Sequence, residues 1–366
     1  MVLLNSRTSL ASNGQPWEEN ILRKTVLAAA LAFTAFSAAV SSIVLAEGRK
    51  IGVSWSNFQE PRWKFDAAAM RSSIQRDGNE YISANAEASV EKQIDDIRTM
   101  IEQGVEALVI LPVDREAIQP AIDLAIEAGI PVISYDRLIE DDRTFYITFD
   151  NVGVGRLIAS FVRQAQPEGN FVILKGDPSD ANVGFLRQGM EDVIGAAVAG
   201  GTITIVGEAN ADGWSPQSAF TAMEKILADN NNAVDAVLAQ NDGIAGAVIE
   251  ALEAQGMSIP VGGQDGDPAA LNRVARGTQT VSVWKNNREL GKAAGKVAGL
   301  LADGVAPDRV PDAIRFTGGD KNLTYTAILL NPTPITRDNL DLVIKADQIT
   351  RADACAGALP DVAGCN

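Results

Sequence analysis

A chain of 366 residues, 46% hydrophobic and 21% charged, is long enough for two domains with sizeable cores, since single domains run to roughly 100–200 residues. Its formal net charge of −16 argues against a nucleic-acid partner, which would need clustered Lys and Arg, and suits a soluble monomer. No histidine is present, which removes the commonest general base, the Ser-His-Asp and Cys-His arrangements and His-based metal sites.

The first readable element is a leader. Arg23-Lys24 precede an apolar run over residues 25–39, and the segment ends in Val44-Leu45-Ala46, the order of a secretory signal peptide with cleavage between Ala46 and Glu47. Residues 1–20 are polar and upstream of the positive region, so residues 1–46 read as a signal peptide with an over-long start, and the mature protein as periplasmic.

From Lys50 onward, short apolar runs alternate with amphipathic stretches, the pattern of parallel strands covered by helices. Strands are expected over 50–55, 80–83, 107–111, 130–135 and 144–149. Helices are expected over 62–76, from Val90 to the stop at Gly104, and over 117–128. After Asn151 the pattern restarts, with helices over 151–163, 183–194, 216–227, 243–255 and a short one from Pro268. Its strands fall at 170–175, 202–206, 234–238, 259–262 and 278–284. A helix over 288–301 and a strand at 328–330 follow. Two doubly wound α/β lobes result, with a boundary near residues 150–153. The only two cysteines, Cys355 and Cys365, bracket a loop with two glycines and a proline, and in an exported chain they are expected to form a disulfide.

In open α/β sheets, ligands bind beyond the carboxyl ends of strands. Those positions are polar in both halves: Asp136-Arg137, Gln240-Asn241-Asp242, Gln264-Asp265 and Lys285, with Arg62-Trp63 opening the first helix and Trp214 after a strand. A sugar presents adjacent hydroxyls around a ring with apolar C–H faces. A carboxylate accepts from two hydroxyls, Arg or Lys donates to two, Asn does one of each, and an indole packs on the ring face. Singly, each residue has a plainer explanation: an Asp after a strand is more often a turn or helix cap, and a Trp more often core. Their shared location is the argument. The chain has no G-x-x-x-x-G-K-[ST] and no G-x-G-x-x-G, so nucleotide cradles of those kinds are unsupported and no cofactor is expected. The acidic stretch 229–235 lacks the central Gly and closing Glu of a calcium loop and reads as a turn.

Together these residues resemble the type I periplasmic sugar-binding proteins of bacterial ABC transporters, and within them the D-xylose-binding members. The resemblance covers residues 50 to 344. It rests on Lys50-Ile-Gly with Arg62-Trp63, Tyr135-Asp-Arg-Leu-Ile139, Phe149-Asp-Asn151, Asp212-Gly-Trp214, Gln240-Asn-Asp242, Gly263-Gln-Asp265 and Gly277-Thr-Gln-Thr280. It implies two Rossmann-like lobes joined by a three-crossover hinge, residues 47–152 with 286–328 and residues 153–285 with 329–350, followed by a tail over 351–366. It also implies sugar contacts from Arg62, Trp63, Asp136, Arg137, Asn182, Trp214, Asn241, Asp265 and Lys285, although the neighbours of Asn182 and Pro61 depart from the xylose-type pattern. The implied function is hinge closure on a monosaccharide, D-xylose favoured, and delivery to a membrane permease rather than catalysis. Ribose, galactose, arabinose and glucose are the alternative ligands, and a chemoreceptor or sensor kinase the alternative partner. A sugar-responsive repressor is opposed by the leader and the negative charge. An exported glycosidase would need Asp136 and Asp265 as an acid/base pair.

Overall fold

The structure is a computed structural model and describes residues 48–365; the leader reading of residues 1–46 lies outside them. The described chain forms two parallel-sheet α/β lobes. The first begins with β1 (Lys50–Trp55), α1 (Arg62–Arg76), β2 (Glu80–Asn85), α2 (Val90–Glu102), β3 (Ala107–Ile110), α3 (Gln119–Glu127), β4 (Val132–Tyr135) and β5 (Phe145–Phe149). The second has α4 (Asn151–Ala165), β6 (Gly169–Lys175), α5 (Asn182–Ala199), β7 (Ile203–Asn210), α6 (Pro216–Asp229), β8 (Ala236–Ala239), α7 (Asp242–Ala254), β9 (Val261–Gln264), α8 (Pro268–Arg276) and β10 (Val281–Trp284). There follow α9 (Asn287–Ala302), β11 (Ile314–Gly318), β12 (Leu323–Leu330), β13 (Thr333–Ile335), α10 (Asp341–Lys345) and α11 (Arg351–Ala354).

The central strands form because their residues are apolar on both faces. β3, β4, β5 and β8 to β10 are buried along their whole lengths, as a strand covered by helices on both sides must be. Helix ends follow local chemistry: the Ser89 hydroxyl accepts from Lys92 N at 3.1 Å to start α2, and the chain after α2 turns at Gly104 with φ +76°.

The first sheet has the order β11-β12-β5-β4-β3-β1-β2 and the second β13-β10-β9-β8-β6-β7. All pairs are parallel except β11 with β12 and β10 with β13. The chain therefore passes between lobes three times. Asp150 caps α4 by accepting from Gly153 N, and α4 packs on β8, β9 and β10. After β10 the chain returns as α9, which packs against α1 and β3. It leaves again between β12 and β13. In the second lobe α4 and α5 cross at glycines, since a Cβ on Gly155 would overlap Leu186 O and one on Gly189 would overlap Val152 O.

Several boundaries differ from the sequence reading. β9 runs through Gln264 instead of ending at 262, and β7 extends to Asn210. The expected strand at 328–330 is the end of the longer β12. β11 was not expected at all, because this edge strand is largely exposed and carries no apolar run. Cys355 and Cys365 are disulfide-bonded, and the tail they close lies on α8, where Asn272 Nδ2 donates to the carbonyls of Asp353, Ala354 and Ala356.

Candidate functional site

Strand ends from both lobes meet in one small chamber, lined by Glu60, Arg62, Trp63, Asp136, Arg137, Asp180, Asn182, Trp214, Gln264, Asp265 and Lys285. The first lobe supplies Arg62 and Trp63 from the first turn of α1, and Asp136 and Arg137 from the turn after β4. The second supplies Asp180 and Asn182 at the start of α5, Trp214 after β7, and Gln264 with Asp265 at the end of β9. Lys285 follows β10, where the chain returns to the first lobe.

The two central carboxylates sit on unusual backbone. Asp136 has φ +58° and Asp265 φ +107°, conformations that non-glycine residues adopt only when their surroundings hold them. For Asp136 the holding is explicit: its N–H donates to Ile147 O at 2.8 Å, and its carbonyl accepts from Thr148 Oγ1 at 2.8 Å and Asn182 Nδ2 at 3.2 Å. For Asp265 it comes from its own N–H on Val283 O at 2.9 Å and from Asp242 behind the turn. The Asp242 carboxylate accepts from Gly266 N and Asp267 N at 3.0 Å each, from Ser282 Oγ at 2.6 Å and from Gln279 Nε2 at 2.8 Å. Gly176 makes room for the indole of Trp214, whose ring a Cβ there would overlap.

Within the chamber both arginines bridge carboxylates of the two lobes, and Lys285 pairs with Asp136 across the cleft. Arg62 donates to Asp136 at 2.8 Å and to Asp265 at 2.9 Å, and Lys285 Nζ lies 3.1 Å from Asp136. Arg137 pairs with Glu60 at 3.0 Å and with Asp180 at 3.1 Å. Arg62 stacks over the Trp63 ring at 4.3 Å, and the Trp63 indole N–H donates to Glu60 at 3.0 Å. Burial opposes ionisation of Asp136, but Arg62 and Lys285 outweigh it and bring its carboxyl down to about 2. Burial dominates at Glu60 and Asp180, raising both against the pull of Arg137. Behind Arg62, Asp66 accepts from the Tyr135 hydroxyl, and burial lifts its carboxyl to about 7 despite Arg62.

Eight of the nine sequence-predicted contacts line this chamber. Asn241 does not: its Oδ1 accepts from Ile244 N at 2.8 Å and caps α7, the plainer role open to such a residue. Glu60 and Asp180 line it without having been singled out, and Gln264, named among the polar strand ends, lines it without having been placed among the sugar contacts. Gln264 sits beside Asp265 at a strand end, and Glu60 two residues before Arg62, so proximity in sequence was available as a signal. Asp180 stands two residues before Asn182, so the same signal was available, but its pairing with Arg137 of the other lobe was not.

Three buried polar atoms on chamber residues have no hydrogen-bond partner among the described residues: Arg62 Nε, Trp214 Nε1 and Gln264 Oε1. They are two donors and one acceptor, each costing about 1–3 kcal/mol if left unsatisfied. A small ligand with neighbouring hydroxyls can satisfy both kinds, and the indoles of Trp63 and Trp214 give the chamber apolar wall. Three cations and four carboxylates, each paired across or within the chamber, leave little net charge, so the chamber fits an uncharged polyhydroxylated guest.

Fold and chamber together define a two-lobed solute-binding protein. A family model described as a periplasmic binding protein domain matches residues 51–306, and the chain belongs to that family. It is 36% identical over 300 residues to the D-xylose-binding periplasmic protein of Escherichia coli (strain K12), covering 81% of this chain and 89% of that protein. The D-xylose-binding periplasmic protein of Haemophilus influenzae is 34% identical over 329 residues, covering 89% of this chain and 96% of that one. Among solved structures, an ABC transporter solute binding protein from Clostridium phytofermentans with bound β-D-glucose matches with a TM-score of 0.76 at 28% identity, over 84% of this chain and 100% of that chain.

Proposed function

We propose that this chain is the substrate-binding component of an ABC sugar importer, taking D-xylose or a closely related monosaccharide and handing it to a membrane permease. Residues 1–46 direct export to the periplasm and are removed before Glu47. The lobes close about the three crossovers, and the closed form is the one the permease reads. The observation that carries the reading is the set of unsatisfied Arg62 Nε, Trp214 Nε1 and Gln264 Oε1 in a charge-paired chamber. Hydroxyls are the groups that answer two donors and an acceptor without adding charge, and the identity to two D-xylose-binding relatives favours the pentose.

Titration calorimetry of the mature protein with D-xylose, ribose, arabinose, galactose and glucose tests this. D-xylose is expected to bind tightest. Tighter binding of another sugar would overturn the choice of D-xylose, and heat from none of them would overturn the sugar-binding reading. Mass spectrometry of the periplasmic protein, with Glu47 expected as the first residue, tests the export step separately.

A further inference from the structure

A second contact between the lobes lies outside the chamber and is apolar. Ala181, just before α5, and Phe185 in its first turn belong to the second lobe. They pack against Leu138, Tyr146, Tyr325 and Phe316 of the first. The Phe185 and Phe316 rings meet edge to face, with centroids 5.6 Å apart and planes at 77°. Leu138 after β4, Tyr146 on β5 and Tyr325 on β12 are fully buried. Ala181 and Phe185 of the second lobe contribute to that burial. The joint is not tightly filled: a crevice bordered by Phe185, Phe316, Tyr146, Leu329 and the first crossover at Asp150 and Asn151 runs beside it.

The same turn of α5 reaches the chamber. Asn182, three residues before Phe185, accepts from Asn151 Nδ2 at 2.8 Å and donates to the carbonyl of Asp136 at 3.2 Å. Both contacts join the two lobes, so a rotation about the crossovers that parted Asn182 from Asp136 would also part Phe185 from Phe316. Phe185 itself lines no part of the chamber.

We infer that Phe185 is a latch for lobe closure: a positioning residue that sets sugar affinity by stabilising the closed arrangement, without touching the sugar. This deepens the sugar-binding reading and rests on it. Apparent affinity scales with the fraction of molecules in the binding-competent state, so a contact made only on closure is transmitted to the measured Kd. An edge-to-face aromatic pair with its buried area is worth enough to shift that Kd about tenfold.

The test compares wild type with Phe185→Ala, Phe185→Leu and, from the opposite lobe, Phe316→Ala. D-xylose titration is expected to show about tenfold weaker binding for each alanine variant, and the double variant no weaker than about the worse single one, since both break one contact. Phe185→Leu should recover most of the loss. The melting temperature should fall less in the ligand-free variant than at saturating D-xylose, because only part of the ligand-free population is closed and makes the contact. A ring that served only as core would instead lower both melting temperatures equally, and that result, or an unchanged Kd, overturns the latch. Small-angle scattering supplies an arm without sugar: ligand-free Phe185→Ala should be more expanded than ligand-free wild type. If wild type fails to bind D-xylose, the function reading fails, and the scattering comparison still decides the latch, an identical profile overturning it.

Discussion

Replacing Arg62 by Met keeps much of the side-chain volume and removes the charge that joins the lobes. Arg62 is 3% exposed and bonded to Asp136 and Asp265, with Asp66 3.7 Å away. Its loss leaves three buried carboxylates facing one another, with Lys285 the nearest remaining partner for Asp136. Removing one member of a buried ion pair costs about 3–5 kcal/mol, so a loss of that order is expected at pH 8. The loss should depend on pH, with a definite sign. In the wild type, Asp136 is held at about 2, below its ordinary 3.8, so its contribution is present above pH 3.8 and fades only as pH falls through 2. Without Arg62, burial raises Asp136 and lifts Asp66 further. A raised carboxyl stabilises below its ordinary value and withdraws that stability as pH rises through the folded one. The variant should therefore be closer to wild type at pH 5 than at pH 8. Urea unfolding of both proteins at the two pH values measures this. A stability difference that is the same at pH 5 and pH 8, or no difference at pH 8, would refute the ion-pair argument.

Asp265→Ala should weaken D-xylose binding by about 2 kcal/mol or more, on the order of thirtyfold by calorimetry, because it removes a buried hydrogen-bonded charge from the centre of the chamber; unchanged affinity would move the site elsewhere. Burial brings both Asp66 and Asp242 to about 7, against the Arg62 charge and the Ser282 hydroxyl respectively, so the wild-type melting temperature should fall between pH 6 and pH 8 as they ionise. Asp242→Asn should flatten part of that slope, and an identical slope in the variant would show that Asp242 does not titrate there. Gly189→Ala should destabilise the second lobe by about 1–3 kcal/mol in urea unfolding, since its methyl would meet the Val152 carbonyl across the α4–α5 crossing; a variant as stable as wild type would mean the helices separate freely.

The two-lobe architecture was legible in the sequence because strands buried on both faces need continuous apolar residues. β3, β4 and β5 carry them between helices whose apolar positions recur at helical spacing. The polar residues just after those strands marked the chamber for the same reason: the strand's apolar pattern ends where solvent or ligand begins. Periodicity could not reveal β11, whose exposed edge position demands no apolar run. Nor could it separate Asn241, a helix cap, from Asp265, a chamber wall, since both are polar residues at a strand end.

Only the tertiary structure decided the partners. Arg62 and Asp265 stand 203 positions apart, Lys285 and Asp136 149, and nothing within a local window records that either pair meets. Asp180 enters the site solely through Arg137 of the other lobe, and Phe185 meets Phe316 only because the chain crosses between lobes three times. Hydrophobic patterning is a property of neighbours along the chain, whereas charge pairing and lobe contact are properties of neighbours in space, and the crossovers convert one into the other.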